Sequence, residues 1–231
     1  MHIFALHGFL GKPSDWNILH PLSLPVTAVD IVNPQTSTSE WAHNFNNSIT
    51  TTDNILFAYS LGGRLALHAL TNNPSKWKAA IIISANPGLK SIVEREQRLK
   101  HDSQWVNRFE NDSWEPLMQD WNQQPVFGNR VGPHRSENDY LRIPLSQMLT
   151  HWSLGHQEDL SDHISKLDLP ILWITGEEDE KYCQLAKQQH FFHPLSRLWI
   201  AQNAGHRVPW ELTNEFIKQS KFFLEQVQEC V

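Results

Sequence analysis

The chain has 231 residues, 40% of them hydrophobic and 19% charged, and its mean hydropathy of -0.45 fits an ordinary globular protein better than a disordered or membrane one. One domain is the expected count at this length, and roughly 70% of the unfolded chain's surface can be buried, so the core needs no disulfide or metal staple. Nineteen Lys and Arg against 25 Asp and Glu give a formal charge of -6 with no basic run, which disfavours nucleic-acid and anionic-membrane partners.

Cys183 and Cys230 are the only cysteines, too few for a disulfide framework, and they read as reduced thiols of a cytoplasmic protein. No stretch approaches the roughly 20 apolar residues of a membrane span, and the start from Met1 to Gly8 lacks the basic and apolar segments of a secretory signal. Ten tryptophans are the one compositional oddity. Trp105, Trp114, Trp121 and Trp152 fall mid-chain, where they fit either a core or a pocket lining.

In chain order, the sequence predicts strands at Ile3–Leu6 and Val26–Ile31, a helix over Glu40–Ile49, a strand at Ile55–Ala58, a helix over Leu61–Thr71 and a strand at Ala80–Ser84. Gly88–Leu167 breaks the alternation. It shows amphipathic helical patterning in Ser91–Phe109 and Trp114–Gln123, a Gly/Pro connection around Gly128–Pro133, and no convincing strand. The rhythm resumes with a strand at Ile171–Thr175, a helix over Tyr182–Phe192, a strand at Leu198–Ala201 and a helix over Asn214–Gln228. In that last helix Phe216, Ile217, Ser220, Phe223, Leu224 and Val227 share one face. Apolar strands without clean alternation are covered on both faces. The expected class is therefore α/β, a mostly parallel sheet flanked by helices, with residues 1–87 and 168–231 as the core and 88–167 as an inserted helical cap.

The segment Ile55-Leu56-Phe57-Ala58-Tyr59-Ser60-Leu61-Gly62-Gly63-Arg64 carries the strongest chemical signal. A serine exposed on a cramped strand-to-helix turn needs small residues two before and two after it. Ala58 and Gly62 hold those places, alanine being the smallest departure from the usual glycine. A helix start also puts free N–H groups and a positive dipole end beside any oxyanion formed at Ser60. His7-Gly8-Phe9 follows the first strand, so the amides of Phe9 and Leu61 are candidate oxyanion donors. Thr175-Gly176-Glu177-Glu178-Asp179 follows the fifth strand and supplies the acid, Asp179 first, with Glu178 or Glu177 as alternatives. Asn203-Ala204-Gly205-His206 follows the sixth and supplies the base. The order Ser60, Asp179, His206 is that of α/β-hydrolases and differs from the chymotrypsin and subtilisin orders. His190 and His193 lack a third ligand at sensible spacing and read as helix-end residues, so neither metal nor cofactor is expected.

The sequence further resembles one branch of that superfamily, the 2-succinyl-6-hydroxy-2,4-cyclohexadiene-1-carboxylate synthases of menaquinone biosynthesis. The resemblance runs through Tyr59 to Arg64, Pro87-Gly88-Leu89, Glu94-Arg95-Glu96-Gln97-Arg98, Asp102, Gln104 to Phe109, Asp120 to Phe127, Met148-Leu149 and Ser153-Leu154, covering the turn and most of the cap. It implies a lyase in which the triad removes a proton from a cyclohexene substrate and pyruvate is expelled. It also implies Tyr59 and Arg64 as pocket residues, Arg98 and Trp121 as cap residues reaching the substrate, and a further late-cap arginine, Arg135 or Arg142. A guanidinium suits a small-molecule carboxylate substrate, since it binds the group through two parallel hydrogen bonds. The segment Ile31-Val32-Asn33-Pro34-Gln35 departs from the family's Gly-rich turn. The alternative enzyme reading is a serine carboxylesterase or thioesterase of the same fold, and a catalytically silent binding protein is a third; a monomer or small homo-oligomer is expected.

Overall fold

The computed structural model describes residues 1–31, 36–128 and 130–229. Cys230, Asn129 of the Gly128–Pro133 connection and most of the segment that departs from the Gly-rich turn lie outside the described residues. Six strands, β1 (His2–Leu6), β2 (Val26–Val29), β3 (Asn54–Tyr59), β4 (Trp77–Ile83), β5 (Ile171–Gly176) and β6 (Arg197–Ala201), form one sheet in the order β2-β1-β3-β4-β5-β6. Every neighbouring pair is parallel. β3 and β5 are buried at every residue, the result of helices on both faces, and this is why their sequences are unbroken apolar runs.

One face is covered by α1 (Thr38–Ser48), α2 (Leu61–Asn72) and α7 (Glu180–Gln188), whose Ala42, Phe45, Leu65, Ala66, Ala69 and Ala186 join one core cluster. The other is covered by the 3-10 segment Pro13–Leu22, the short α8 (Val208–Glu211) and the long α9 (Thr213–Glu229), contributing Trp16, Leu19, Val208, Phe216, Phe223 and Val227. Four helices stand between β4 and β5: α3 (Ile92–Asn111), α4 (Trp114–Asn122), α5 (Arg142–His151) and α6 (Ser161–Ile164). Ser91 caps α3 by accepting from the Glu94 N–H.

The pattern predicts neither the 3-10 segment Pro13–Leu22 nor α5, and it leaves out the single-turn helices α6 and α8 as well. α5 carries Pro144 in its first turn, where proline is tolerated but reads locally as a break. Pro13–Leu22 has Pro13 at its start and Pro21 within it. Of the mid-chain tryptophans, Trp105, Trp114 and Trp152 are buried, while Trp121 is only half-buried and packs from α4 against the core cluster.

β1 is flanked by β2 on one side and β3 on the other, so the chain winds in opposite directions from it. Loops leaving the carboxyl ends of β1 and β3 therefore diverge and leave a crevice, the usual ligand position in an open α/β sheet. The loops with His7-Gly8-Phe9 and with Ser60 flank this crevice.

All side chains of α2 from Leu61 to Leu70 are buried, including His68, 5% exposed. Burial first, and the Arg64 cation second, lower the His68 pKa from 6.5 to about 4. A group whose folded pKa lies below its unfolded one contributes full stability above pH 6.5, and loses it as the unfolded chain takes up a proton that the folded one refuses. The unfolding free energy is thus expected to fall between pH 6.5 and about 4, with His68 accounting for up to roughly 3 kcal/mol. Urea unfolding of wild type and His68→Leu across this range measures that share as the difference in slope; equal slopes would refute it.

Candidate active site

Ser60 sits between β3 and α2 with φ 53° and ψ -112°, a left-handed backbone that costs a non-glycine residue about 1–3 kcal/mol. Its N–H donates to the Ile83 carbonyl at 2.9 Å, continuing the sheet, and its carbonyl accepts from Arg64 N–H at 3.0 Å, opening the helix. The turn thus ends one hydrogen-bond ladder and starts the next within a single residue. Gly62 makes this possible, since a Cβ there would lie 2.4 Å from the His7 carbonyl oxygen and 2.6 Å from that of Leu6.

The structure brings Ser60, His206 and Asp179 together. His206 Nε2 lies 3.0 Å from Ser60 Oγ, and His206 Nδ1 lies 2.6 Å from Asp179 Oδ2. The carboxylate can only accept, so Nδ1 carries the proton and Nε2 is left to take one from the serine. Asp179 is buried and also caps α7, accepting from the Tyr182 N–H. The other two acids turn elsewhere: Glu178 pairs with Arg130 at 2.6 Å, and Glu177 accepts from the Asn203 N–H at 3.4 Å.

Two contacts that no spacing rule pointed to fix the His206 loop. Ser84, at the end of β4 with φ 46°, donates its hydroxyl to the His206 carbonyl at 2.9 Å. Glu211 accepts from the N–H groups on either side of the histidine, Gly205 at 2.6 Å and Arg207 at 3.0 Å. The imidazole is lined by Tyr182, Tyr59 and Phe127, with ring centroids 4.7, 5.4 and 5.9 Å away. Burial raises both phenols well above the ordinary tyrosine value, so they stay neutral.

Phe9 and Leu61 flank the serine, on the loop after β1 and at the first position of α2, where N–H groups lack intrahelical acceptors. His7 orders the first of these loops: its Nδ1 donates to the Gly8 carbonyl at 2.8 Å and its Nε2 accepts from the Ile31 N–H at 3.3 Å. Burial lowers the His7 pKa, in keeping with a neutral ring that both gives and takes a bond. The Phe9 ring packs on Trp121 and Phe109 at centroid distances of 4.8 and 5.2 Å.

Two cavities open onto Ser60, of about 1120 Å³ and about 360 Å³, and Phe9, Trp121 and Phe127 line both. The larger holds Arg64 and Arg98. Arg64 is 9% exposed and donates to the Gln157 amide oxygen at 3.3 Å; burial, then the Arg98 charge, lower its pKa to about 10, which leaves it charged. Arg98 Nε donates to both oxygens of the buried Asp102 at 2.8 Å, while Arg95 is taken up by the Leu89 carbonyl. The smaller cavity holds Tyr59, Asp15, Arg135 and Arg207. Arg135 makes a two-pronged pair with Asp15 at 3.0 and 2.7 Å, whereas Arg142 is spent on the Phe109 and Asp112 carbonyls and on Glu137, tying α5 to the end of α3. Of the two late-cap arginines, then, Arg135 is the one that lines a cavity beside Ser60. Among the described residues no group of three or more His, Cys, Asp or Glu is placed to hold a metal, and no helix is long and apolar enough to cross a membrane.

Residues 40–213 match the family described as serine aminopeptidase, S33. The chain is 31% identical to the 2-succinyl-6-hydroxy-2,4-cyclohexadiene-1-carboxylate synthase of Serratia proteamaculans over 95% of its length and 91% of the relative's. It is 29% identical to a putative enzyme of the same name from Haemophilus influenzae, over 100% of its length and 97% of the relative's. Among solved structures, MenH from S. aureus superposes with a TM-score of 0.81 at 21% identity, covering 98% of this chain and 94% of that one. A thermophilic esterase from Thermogutta terrifontis gives 0.69 at 16% identity, covering 98% and 90%; these two likenesses speak for the fold.

If Asp179 sets the imidazole tautomer, Asp179→Asn should leave the fold intact and slow the labelling of Ser60 by a fluorophosphonate probe by roughly 10²–10⁴-fold. Mass spectrometry of the labelled peptide over time measures this, and labelling at the wild-type rate would exclude the role.

Proposed function

The chain belongs to the serine aminopeptidase S33 family of α/β-hydrolases and, within that fold, to the 2-succinyl-6-hydroxy-2,4-cyclohexadiene-1-carboxylate synthases, and on that premise we propose that it eliminates pyruvate from 2-succinyl-5-enolpyruvyl-6-hydroxy-3-cyclohexene-1-carboxylate, with Ser60, His206 and Asp179 as the proton-transfer machinery. The observation that carries this is the contact of Ser60 Oγ with His206 Nε2 at 3.0 Å, at the mouth of a cavity holding a buried arginine.

The names of substrate and product fix the proton that leaves. Converting a 3-cyclohexene with a 5-substituent into a 2,4-diene requires loss of the hydrogen at C2, movement of the double bond from C3–C4 to C2–C3, a new one at C4–C5, and departure of the C5 oxygen. C2 bears the succinyl group, whose carbonyl acidifies that hydrogen and takes up the charge as an enolate. His206 Nε2 draws the proton from Ser60 Oγ, and the serine oxygen removes the C2 hydrogen. Asp179 holds the imidazolium as it forms. The Phe9 and Leu61 amides face the enolate oxygen, where charge exists only on the way to product, so their bonds lower the barrier and not merely the substrate's energy. The electron displacement that starts at the C2–H bond ends on the leaving oxygen, which departs as the enolate of pyruvate and takes the proton held by the His206 imidazolium, restoring the neutral triad and giving the enol.

Arg64 and Arg98 bind substrate carboxylates in the larger cavity, Tyr59 and Trp121 wall the site, and Arg135 serves the smaller one. These anion contacts suit a small-molecule carboxylate substrate. Work in the cytoplasm, as a monomer or small homo-oligomer, completes this reading.

Pyruvate release from the authentic intermediate, followed by a coupled dehydrogenase assay, tests the proposal. Wild type is expected to release it and Ser60→Ala to lose it; a Ser60→Ala protein with near-normal turnover would end the assignment. Small nitrophenyl esters should give little sustained turnover, and rapid ester hydrolysis without pyruvate release would favour an esterase instead. Arg98→Ala should lower kcat/KM by an amount equivalent to about 1.5–3 kcal/mol of charge-assisted hydrogen bonding. Its thermal unfolding is compared in parallel, because the buried Asp102 loses its arginine and keeps the Ser153 hydroxyl at 2.7 Å.

A further inference from the structure

Arg207 follows His206 directly in the chain and lines the smaller cavity with Ser60. Nothing in the triad accounts for it, since its backbone N–H, and not its side chain, helps Glu211 fix the histidine. The guanidinium is held in a definite orientation. Its Nη2 donates to Asn122 Oδ1 at 2.7 Å, its central carbon lies 3.8 Å from the Phe127 ring centroid, and a Cβ on Gly132 would stand 2.8 Å from Nη1, so the absence of a side chain there leaves it room.

Both of these partners are neutral. Glu211 is the nearest carboxylate along the chain, and it is used by the Gly205 and Arg207 N–H groups and by Arg130 at 3.0 Å. Among the described residues the Arg207 side chain forms no ion pair. Arg135, in the same cavity, differs: Asp15 neutralises it through two bonds. The same contrast occurs across Ser60, where Arg98 is paired with Asp102 while Arg64 meets only the Gln157 amide. Glu211 and the Tyr59 hydroxyl offset part of what burial takes from the Arg207 charge, but burial outweighs them, so a partly buried cation with no carboxylate in direct contact has given up hydration that its partners only partly replace, and an incoming anion restores it.

We infer that Arg207 is a carboxylate-binding residue, so that the substrate's anionic groups are gripped on both sides of Ser60, by Arg64 in the larger cavity and by Arg207 in the smaller. This rests on the proposed pyruvate elimination for the identity of the substrate, and on the cavity geometry alone for the class of ligand. The carboxylate belongs either to the departing pyruvate unit or to a substituent of the ring, and both present the same planar acceptor to the guanidinium.

The test compares wild type, Arg207→Gln and Arg207→Lys. Glutamine can still donate to Asn122, so a residue that merely struts cap against core is preserved, while the charge is lost. Binding is read by calorimetry on Ser60→Ala protein, with and without Arg207→Gln, using the cyclohexene intermediate, pyruvate and succinate as probes. Weakening of any of these by roughly ten-fold or more, with partial recovery in Arg207→Lys and an unchanged unfolding midpoint, supports the inference. A weaker pyruvate complex locates the departing unit in the smaller cavity, and a weaker intermediate with unchanged pyruvate locates a ring substituent there. No Arg207-dependent binding of any of the three overturns it. Turnover by wild type is scored separately: its absence defeats the proposed elimination, while the calorimetric arm still decides the role of Arg207.

Discussion

The turn at Ser60 is the constraint on which the rest of this molecule depends. A left-handed serine must join a fully buried strand to a helix buried from Leu61 to Leu70, and it can do so only because Gly62 lets the first turn of α2 rest on the carbonyls of Leu6 and His7. That contact also brings the end of β1 to the serine, so the strain at one residue and the position of Phe9 share a single geometric origin. On the far side the histidine is fixed through its own backbone, by Ser84 and Glu211. Groups tied down in this way need little reorganisation when charge moves between them, which is where an enzyme gains most over water.

Electrostatics divides the four arginines around the serine into two kinds. Arg98 and Arg135 are bound by the carboxylates of Asp102 and Asp15, so much of their field is cancelled and their orientation is fixed. Arg64 and Arg207 rest on amides and an aromatic ring and keep their field. The chain as a whole carries -6, which at long range repels an anion, but salt screens that repulsion beyond roughly 8 Å. Selection for an anion must therefore be local: on the proposed function Arg64 and Arg98 supply it in the larger cavity, Arg98 through the donors that its Nε contact with Asp102 leaves free, and on the further inference Arg207 supplies it in the smaller.

Where the fold is legible in the sequence, it is because burial leaves a one-dimensional trace. Strands covered on both faces become apolar runs, and α3, α4 and α9 show their buried stripes at helical spacing. α5 and Pro13–Leu22 leave a weaker trace, because a proline in the first turn looks like a terminus until the rest of the chain shows what it packs on. Ser60 and His206 could be picked by their places after strands. For the acid the sequence puts Asp179 first but leaves Glu178 and Glu177 open; what separates them is the backbone, which makes Asp179 the cap of α7 and turns its short side chain inward. Arg135 and Arg142 are indistinguishable until the cap is folded, when one meets Asp15 and the other the end of α3. Ser84, Glu211 and Arg207 leave no trace, because their partners lie on other elements or are backbone atoms that no residue pattern specifies.

The aromatic residues explain why two cavities and not one meet at the serine. Phe9, Trp121 and Phe127 line both, and Phe9 and Trp121 pack together at 4.8 Å, so they form an apolar wall shared by the two cavities beside Ser60. A carbocyclic ring resting against such a wall gains contact area without asking for hydrogen bonds. On the proposed function and the inference drawn from Arg207, its charged substituents point to either side, toward Arg64 and toward Arg207. On the proposed elimination, a ring seated on that wall displaces water that would otherwise reprotonate the carbanion, and this would let a serine, histidine and aspartate arranged as in a hydrolase serve an elimination.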